Sequence, residues 1–131
     1  MITDGSGQPL GAQLTSAKGD EREQVGRLIE KVEFLLPEDE IILLEADKGY
    51  DSRKLRLSLL LEGIYPLIPY RGNRSNIAGW VKRSRWKIER AISWIKRGFR
   101  RVATRWERLA DAYAGIVTVA LCYFWARKIV G

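Results

Sequence analysis

Ile41-Ile42-Leu43-Leu44-Glu45-Ala46-Asp47-Lys48-Gly49 is the stretch on which the fold turns. Four consecutive apolar residues read as a buried strand, because a strand covered on both faces loses its polar alternation. The run ends at Asp47, so its carboxylate emerges at a strand terminus, and Gly49 lets the backbone turn closely behind it. Upstream, Asp20 can cap a helix running to about Leu36, with Val25, Leu28, Ile29, Val32 and Leu36 as its apolar stripe. Pro37 stops that helix. Downstream, Asp51 or Ser52 can start a helix from Arg53 to Glu62, which Gly63 ends. Ile64–Ile68 is a short strand that Pro66 confines to a sheet edge.

The two ends extend this core. Asp4-Gly5-Ser6-Gly7 is a turn signal, and Pro9–Ser16 follows with strand-like Leu10, Ala12 and Leu14, so the chain opens inside a β-hairpin. Residues 70–82 form a polar, Gly-containing loop, and two helices close the chain at about 83–99 and 107–130. The expected organisation is therefore a hairpin at 1–16, a helix/strand core at 20–69, a basic loop at 70–82, a helix at 83–99 and a closing helix at 107–130. Alternating strands and helices give an α/β layer with helices covering a sheet. Ala112–Ala126 is apolar but short for a bilayer and flanked by Asp111 and Arg127, which favours a buried helix over a membrane span.

Composition narrows the chemistry. The 131 residues suit one domain with a real core. A single cysteine, Cys122, excludes an internal disulfide framework and fits a reducing, cytoplasmic compartment. With no histidine, imidazole bases and histidine-ligated zinc are excluded. Any metal must be held by carboxylates, which favours a hard ion such as magnesium (Mg2+) or manganese (Mn2+). The net charge of +7 points to a polyanionic partner, nucleic acid before membrane.

That charge is concentrated. Thirteen cations run from Arg71 to Arg108, among them Arg74, Lys82, Arg83, Arg97, Arg101 and Arg105, and only Glu89 and Glu107 oppose them. A charge run is usually a solvated helix face, but i,i+4 pairing cannot absorb this imbalance, so phosphate contact is the better reading. Trp80, Trp86, Trp94 and Trp106 are interleaved with the cations, and the sequence does not separate core from cation–π roles.

At about 100° per residue along the helix near 83–99, Lys96 and Glu89 fall within about 40° of Arg85. Ile88, Ile92, Ile95 and Phe99 cluster beside them as the buried stripe. One carboxylate thus sits at the edge of the core between two cations. An ordinary Arg85–Glu89 ion pair explains this face as well as a site does. Asp47 changes the balance, although an Asp capping a turn is the common alternative at such a position. Two carboxylates, from a strand end and a helix face, could bind a hard divalent ion in basic surroundings, an arrangement suited to phosphoryl transfer on nucleic acid.

These residues resemble bacterial insertion-sequence transposases with a DDE active site. The likeness is carried by Ala46-Asp47-Lys48-Gly49-Tyr50-Asp51-Ser52, by Gly63-Ile64-Tyr65-Pro66-Leu67-Ile68-Pro69 and by Arg85-Trp86-Lys87-Ile88-Glu89-Arg90. The opening Asp4–Leu10 and the tail Phe99–Trp106 match as well, so it runs in order through nearly the whole chain. The family's helix signature is Tyr, two residues, Arg, three residues, Glu, six residues, Lys. Arg85, Glu89 and Lys96 match it, whereas Lys82 occupies the Tyr position. The resemblance implies a ribonuclease H-like mixed sheet flanked by helices. It makes Asp47 and Glu89 the second and third acids of a triad that holds two magnesium ions to cut and rejoin transposon ends.

The family's first aspartate lies on a strand before the hairpin, and this chain starts at the hairpin. Asp4 suits the turn and Asp20 a helix cap, so the expectation is a chain lacking the first strand and the first acid, and inactive alone. The expected protein partners are an upstream-frame transposase segment or a second copy of the chain, and decay of a once-complete element is the equal alternative to a frameshift half. Arg85, Arg90, Lys96, Arg97 and Arg101 are the candidate contacts to transposon-end and target DNA in a bacterial, nucleoid-associated protein. The alternative is a non-catalytic basic fragment that binds or regulates transposon ends. An amphipathic membrane-surface protein fits poorly with the dispersed strands and acidic first half.

Overall fold

The computed structural model describes residues 1–16, 19–72, 77–104 and 107–131, with only the backbone of 77–83. Arg74, Arg105 and Trp106, and the side chains of Trp80, Lys82 and Arg83, lie outside the described residues. The chain is α/β and divides into two compact units. A central unit holds residues 15–86, and a terminal unit holds 1–14 with 87–131.

The central unit is a strand–helix–strand element. Strand β3 (Ile42–Glu45) pairs in parallel with β4 (Ile64–Leu67), and helix α2 (Arg53–Leu61) connects them. Parallel neighbours need such a crossover, since no tight turn can join them. Ser52 caps α2 through its hydroxyl, which accepts from Leu55 N–H at 3.5 Å. Gly63 turns the chain into β4 with φ of +74°, a conformation that costs other residues a Cβ clash. Leu55 and Leu59 from α2 pack on Ile64 and Ile68, joined by Ile29 from α1 (Gln24–Glu30). Leu59 and Ile68 are fully buried, and truncating either to Ala costs about 2–5 kcal/mol.

Three expectations for this unit are corrected. The 41–44 run is packed on one face only: Ile42 and Leu44 reach the core, while Ile41 and Leu43 are exposed. Helix α2 packs on β4, and Ile42 and Leu44 join the cluster that Leu55 and Leu59 form with Ile64 and Ile68. The helix expected from 20 to 36 is also broken. A 3-10 turn at Glu21–Glu23 leads into α1, and another follows at Glu33–Leu35. Pro37 forces Leu36 into an extended conformation, and Val32 leaves helical geometry to bury its side chain. Finally, α3 spans Ile77–Gly98, so helix replaces loop over 77–82, and Gly79 is carried inside it.

The terminal unit is built on the second half of α3. A short antiparallel hairpin, β1 (Ile2–Thr3) and β2 (Pro9–Gly11), replaces the longer strand expected to reach Ser16. The two small sheets are separate, rather than one mixed sheet, among the described residues. The hairpin turn is held by Asp4, whose Oδ1 accepts from Ser6 N–H, Ser6 Oγ–H and Gln8 N–H at 2.8–2.9 Å. Burial opposes ionisation of Asp4, but these bonds outweigh it and leave its pKa below the ordinary value. The turn sits on α3: Lys87 Nζ donates to Gly5 O at 2.6 Å and Arg90 Nη2 to Ser6 O at 3.0 Å.

Short α4 (Arg100–Ala103) and long α5 (Ala110–Val130) complete the unit. Trp125 Nε1 donates to Pro9 O at 2.6 Å, Tyr113 Oη donates to Val102 O at 2.8 Å, and Trp94 stacks on Phe124. Helix α5 starts three residues later than expected. It is not a buried helix either, since Ala120 is its single buried residue while Val119, Tyr123, Ile129 and Val130 are exposed. It is the one described helix long and apolar enough, by length and composition, to cross a membrane.

Gly7 has φ of +87°, and a Cβ there would lie 3.0 Å from Lys87 Cβ and 3.2 Å from Arg90 Nη2. Gly7→Ala should therefore lower stability by about 2 kcal/mol, combining left-handed strain with the close approach. Urea unfolding measures this. An unchanged midpoint would contradict the packing of the turn on α3.

Candidate functional site

Asp47 stands two residues beyond β3, at the start of a 3-10 turn over Lys48–Tyr50. Its Oδ1 accepts from Lys48 N–H at 2.7 Å, so it does cap a turn. Its Oδ2 accepts from Arg85 Nη1 at 3.1 Å, joining the strand end to α3 across 38 residues of sequence. Both side chains stay about half exposed, 47% for Asp47 and 58% for Arg85, so this pair alone adds little to stability. It does fix where the carboxylate points. A depression of about 500 Å³ opens beside Asp47, lined also by Gly49, Tyr50, Asp20, Glu21 and Arg71.

The turn behind Asp47 is held by groups that the sequence alone gave no reason to link. Asp51 Oδ1 accepts from Arg56 Nε and Nη2 at 3.0 and 2.9 Å, and its Oδ2 accepts from Arg71 N–H at 3.0 Å. Arg56 also donates to Ile68 O at 2.6 Å and lies 4.1 Å from the Tyr70 ring centroid. Arg71 reaches Gly49 O at 3.4 Å. Arg71 belongs to the basic run, yet here it ties the segment after β4 to the turn after β3. Tyr50 donates its hydroxyl to Glu21 Oε2 at 3.2 Å. Burial first, then the Glu21 charge, pushes the Tyr50 phenol above its usual pKa. Asp20 caps the turn at Glu21–Glu23 and chelates Arg22, a hydrogen bond that lowers its pKa.

The other sequence candidates lie on α3 and after it. Arg85 meets Asp47 within the central unit, whereas Glu89, one helical turn further on, is exposed and belongs to the terminal unit. Arg90 donates to the hairpin and lies 4.7 Å from the Trp94 ring centroid, so hairpin and ring hold its guanidinium. Lys96, Arg97 and Arg101 are exposed, and Arg101 lies 3.8 Å from Glu107. Among the described residues, no three acidic or cysteine side chains cluster as a metal cage would need.

Comparison with known proteins adds an independent line. A family model described as the transposase DDE domain matches residues 1–82 and 79–125. A protein of Burkholderia cepacia, to which the role of transposase for insertion sequence element IS402 is ascribed, is 32% identical over 127 residues. The match takes in 93% of this chain and 59% of the relative, so the chain spans somewhat over half of that protein's length. No solved structure matches the chain.

The Asp51 bonds to Arg71 N–H and Arg56 hold its pKa below the ordinary carboxylate range. A depressed folded-state pKa means that the stabilisation is present above the unfolded value, about 3.9, and is lost as pH falls through the folded one. Asp51→Asn should lower stability by about 2 kcal/mol at pH 7, with the gap to the parent closing as the pH drops below about 4. Urea midpoints across pH 2.5–7 test this, and a gap independent of pH would contradict it.

Proposed function

The chain belongs to the transposase DDE-domain family, and on that premise we propose that it is part of the catalytic domain of an insertion-sequence transposase. Its reaction would be divalent-metal-dependent phosphoryl transfer at transposon ends, on a ribonuclease H-like fold. The observation that carries this reading is the position of Asp47. It lies just past the end of a parallel strand, half exposed, with Arg85 of the signature helix on one oxygen. Ligands in α/β sheets commonly sit beyond the carboxyl ends of strands, where loops can approach them.

The donors fit a hard ion in kind. Asp47 and Glu89 are exposed enough to be reached, offer oxygen only, and belong to a chain without histidine. When bound, magnesium or manganese supplies charge to the attacking and leaving oxygens of phosphoryl transfer. The chain's own part is positioning. Asp51, Arg56 and Arg71 fix the turn that carries Asp47, and Arg85 orients its carboxylate. Asp4 and Asp20 are committed to a turn and a cap, so two of the family's three acids are assigned within these residues. The exposed Lys96, Arg97 and Arg101 are the phosphate contacts, while Arg85 and Arg90 approach DNA from positions fixed by Asp47 and the hairpin.

One observation favours the second reading, a non-catalytic DNA-binding fragment. Both Asp47 oxygens already accept hydrogen bonds from the protein, Oδ1 from Lys48 N–H and Oδ2 from Arg85 Nη1. The two readings separate on a pair of measurements. With two acids assigned, the isolated chain should give no magnesium-dependent nicking of end-containing DNA. Strong nicking that Glu89→Gln abolishes would overturn that expectation. Duplex affinity should fall steeply with salt, and neutralising Lys96, Arg97 or Arg101 should each reduce the log–log slope by roughly one. Affinity that depended on divalent metal and on Asp47 would exclude the non-catalytic reading, and unchanged affinity in Asp47→Asn would favour it.

A further inference from the structure

The parallel pair β3–β4 has a second face that takes no part in the chemistry above. Ile42 and Leu44 turn toward the core, so the alternation of the strand sends Leu43 and Glu45 the other way. Tyr65 stands beside Leu43 in the register and is likewise turned out. Leu43 and Tyr65 are each 54% exposed, and Ile41, just before the strand, is 82% exposed. Large apolar side chains paired on an open sheet face mark an interaction surface.

The rim of this face is acidic. Glu38, Asp39 and Glu40 lead directly into Ile41, Glu45 follows Leu43 on the same face, and all four are exposed. Among the described residues, none of the four enters an ion pair. Lys31 is the one cation between Glu30 and Glu45. In a chain of net charge +7 this is a local concentration of the opposite sign. It repels nucleic acid and anionic lipid alike, and it suits a cationic partner with an apolar residue of its own.

The chain itself supplies such a partner. Between Glu89 and Glu107 it has no acid. Toward the end of α3, Ile92 is exposed one turn before Lys96, and Arg97 and Arg100 are exposed beside it. Lys96, Arg97 and Arg100 enter no ion pair among the described residues. We propose that the open face of β3–β4 in one copy docks this segment of a second copy, Ile92 on Leu43 and Tyr65, and the three cations on Glu38, Asp39, Glu40 and Glu45. An apolar centre inside a charged rim is a common build for a protein interface, and opposite charges fix its register. Lys96 and Arg97 are also the cations assigned above to phosphate, so a docked copy cannot hold duplex DNA there. Only this exclusion rests on the DNA reading. The pairing of copies does not, and it requires neither Asp47 nor Glu89.

Sedimentation velocity of the full chain tests the pairing. The expected result is self-association at about 0.05 M salt that is about tenfold weaker at about 0.5 M, where the rim is screened. Leu43→Thr, at a half-exposed strand position, should weaken it about tenfold with the urea midpoint unchanged. Reversing the rim (Glu38→Lys, Asp39→Lys, Glu40→Lys) should abolish association, and so should reversing the helix (Lys96→Glu, Arg97→Glu, Arg100→Glu). Mixing the two reversed variants should restore it, because opposite charges meet again, whereas a loss through misfolding is not restored. A monomer at low salt, association that survives either reversal, or loss without rescue on mixing would overturn the proposal. Duplex DNA should disperse the parent's complex. If the charge swap holds and DNA fails to disperse it, the phosphate role of Lys96 and Arg97 falls while the pairing of copies stands.

Discussion

Four residues of parallel pairing govern where the chemistry can lie. Ile42, Leu43, Leu44 and Glu45 stand in register with Ile64, Tyr65, Pro66 and Leu67, and this register sets the height at which Asp47 leaves the sheet. A slip by one residue would turn Ile42 and Leu44 out of the core and send the following turn the other way. Leu55 and Leu59 enforce the register from above, because α2 can bury them only where Ile64 and Ile68 lie. Polar bonds then complete what the apolar core begins. Arg56 and Arg71 bind Asp51 from two sides and close the turn behind the exposed carboxylate. The side chains that point toward solvent thus depend on a small, well-buried set that does not.

Helix α3 performs two jobs with adjacent turns. Arg85 reaches Asp47, while Lys87 and Arg90 grip the opening hairpin through backbone carbonyls. Part of the positive charge that looked available to phosphate is therefore already satisfied by protein. Exposed cations remain toward the end of the helix, at Lys96 and Arg97, and beyond it at Arg100 and Arg108, while Arg101, also exposed, lies 3.8 Å from Glu107. Charge density in a sequence counts cations and does not show which have been claimed by carbonyls, rings or carboxylates.

Local signals were legible in the sequence. The Ser52 cap, the Gly63 stop, the Asp4 turn and the emergence of Asp47 at a strand end all depend on neighbours within a few residues, and each is found as expected. Features that depend on distant partners were not. The 20–36 stripe looked continuous because periodicity does not register the extended geometry that Pro37 imposes on Leu36. The 41–44 run looked buried on both faces because an apolar residue is consistent with either fate, and Leu43 is exposed. Helix α5 is apolar on every side, so its pattern could not indicate which face is covered. Asp51 was legible only as a helix starter, since nothing local links it to Arg71. Asp47 and Glu89 came from spacing and resemblance together, and their joint role rests on the family reading rather than on a contact.

The most direct test of that role is a manganese titration of the chain followed by electron paramagnetic resonance, which reads free ion without needing any reaction. The account predicts one weakly held ion, lost when either Asp47→Asn or Glu89→Gln is introduced, and retained in Asp39→Asn, a change at an exposed carboxylate away from that turn. Binding that persists unchanged in both single variants, or no detectable binding in the parent at millimolar manganese, would contradict the assignment of these two carboxylates to one metal site.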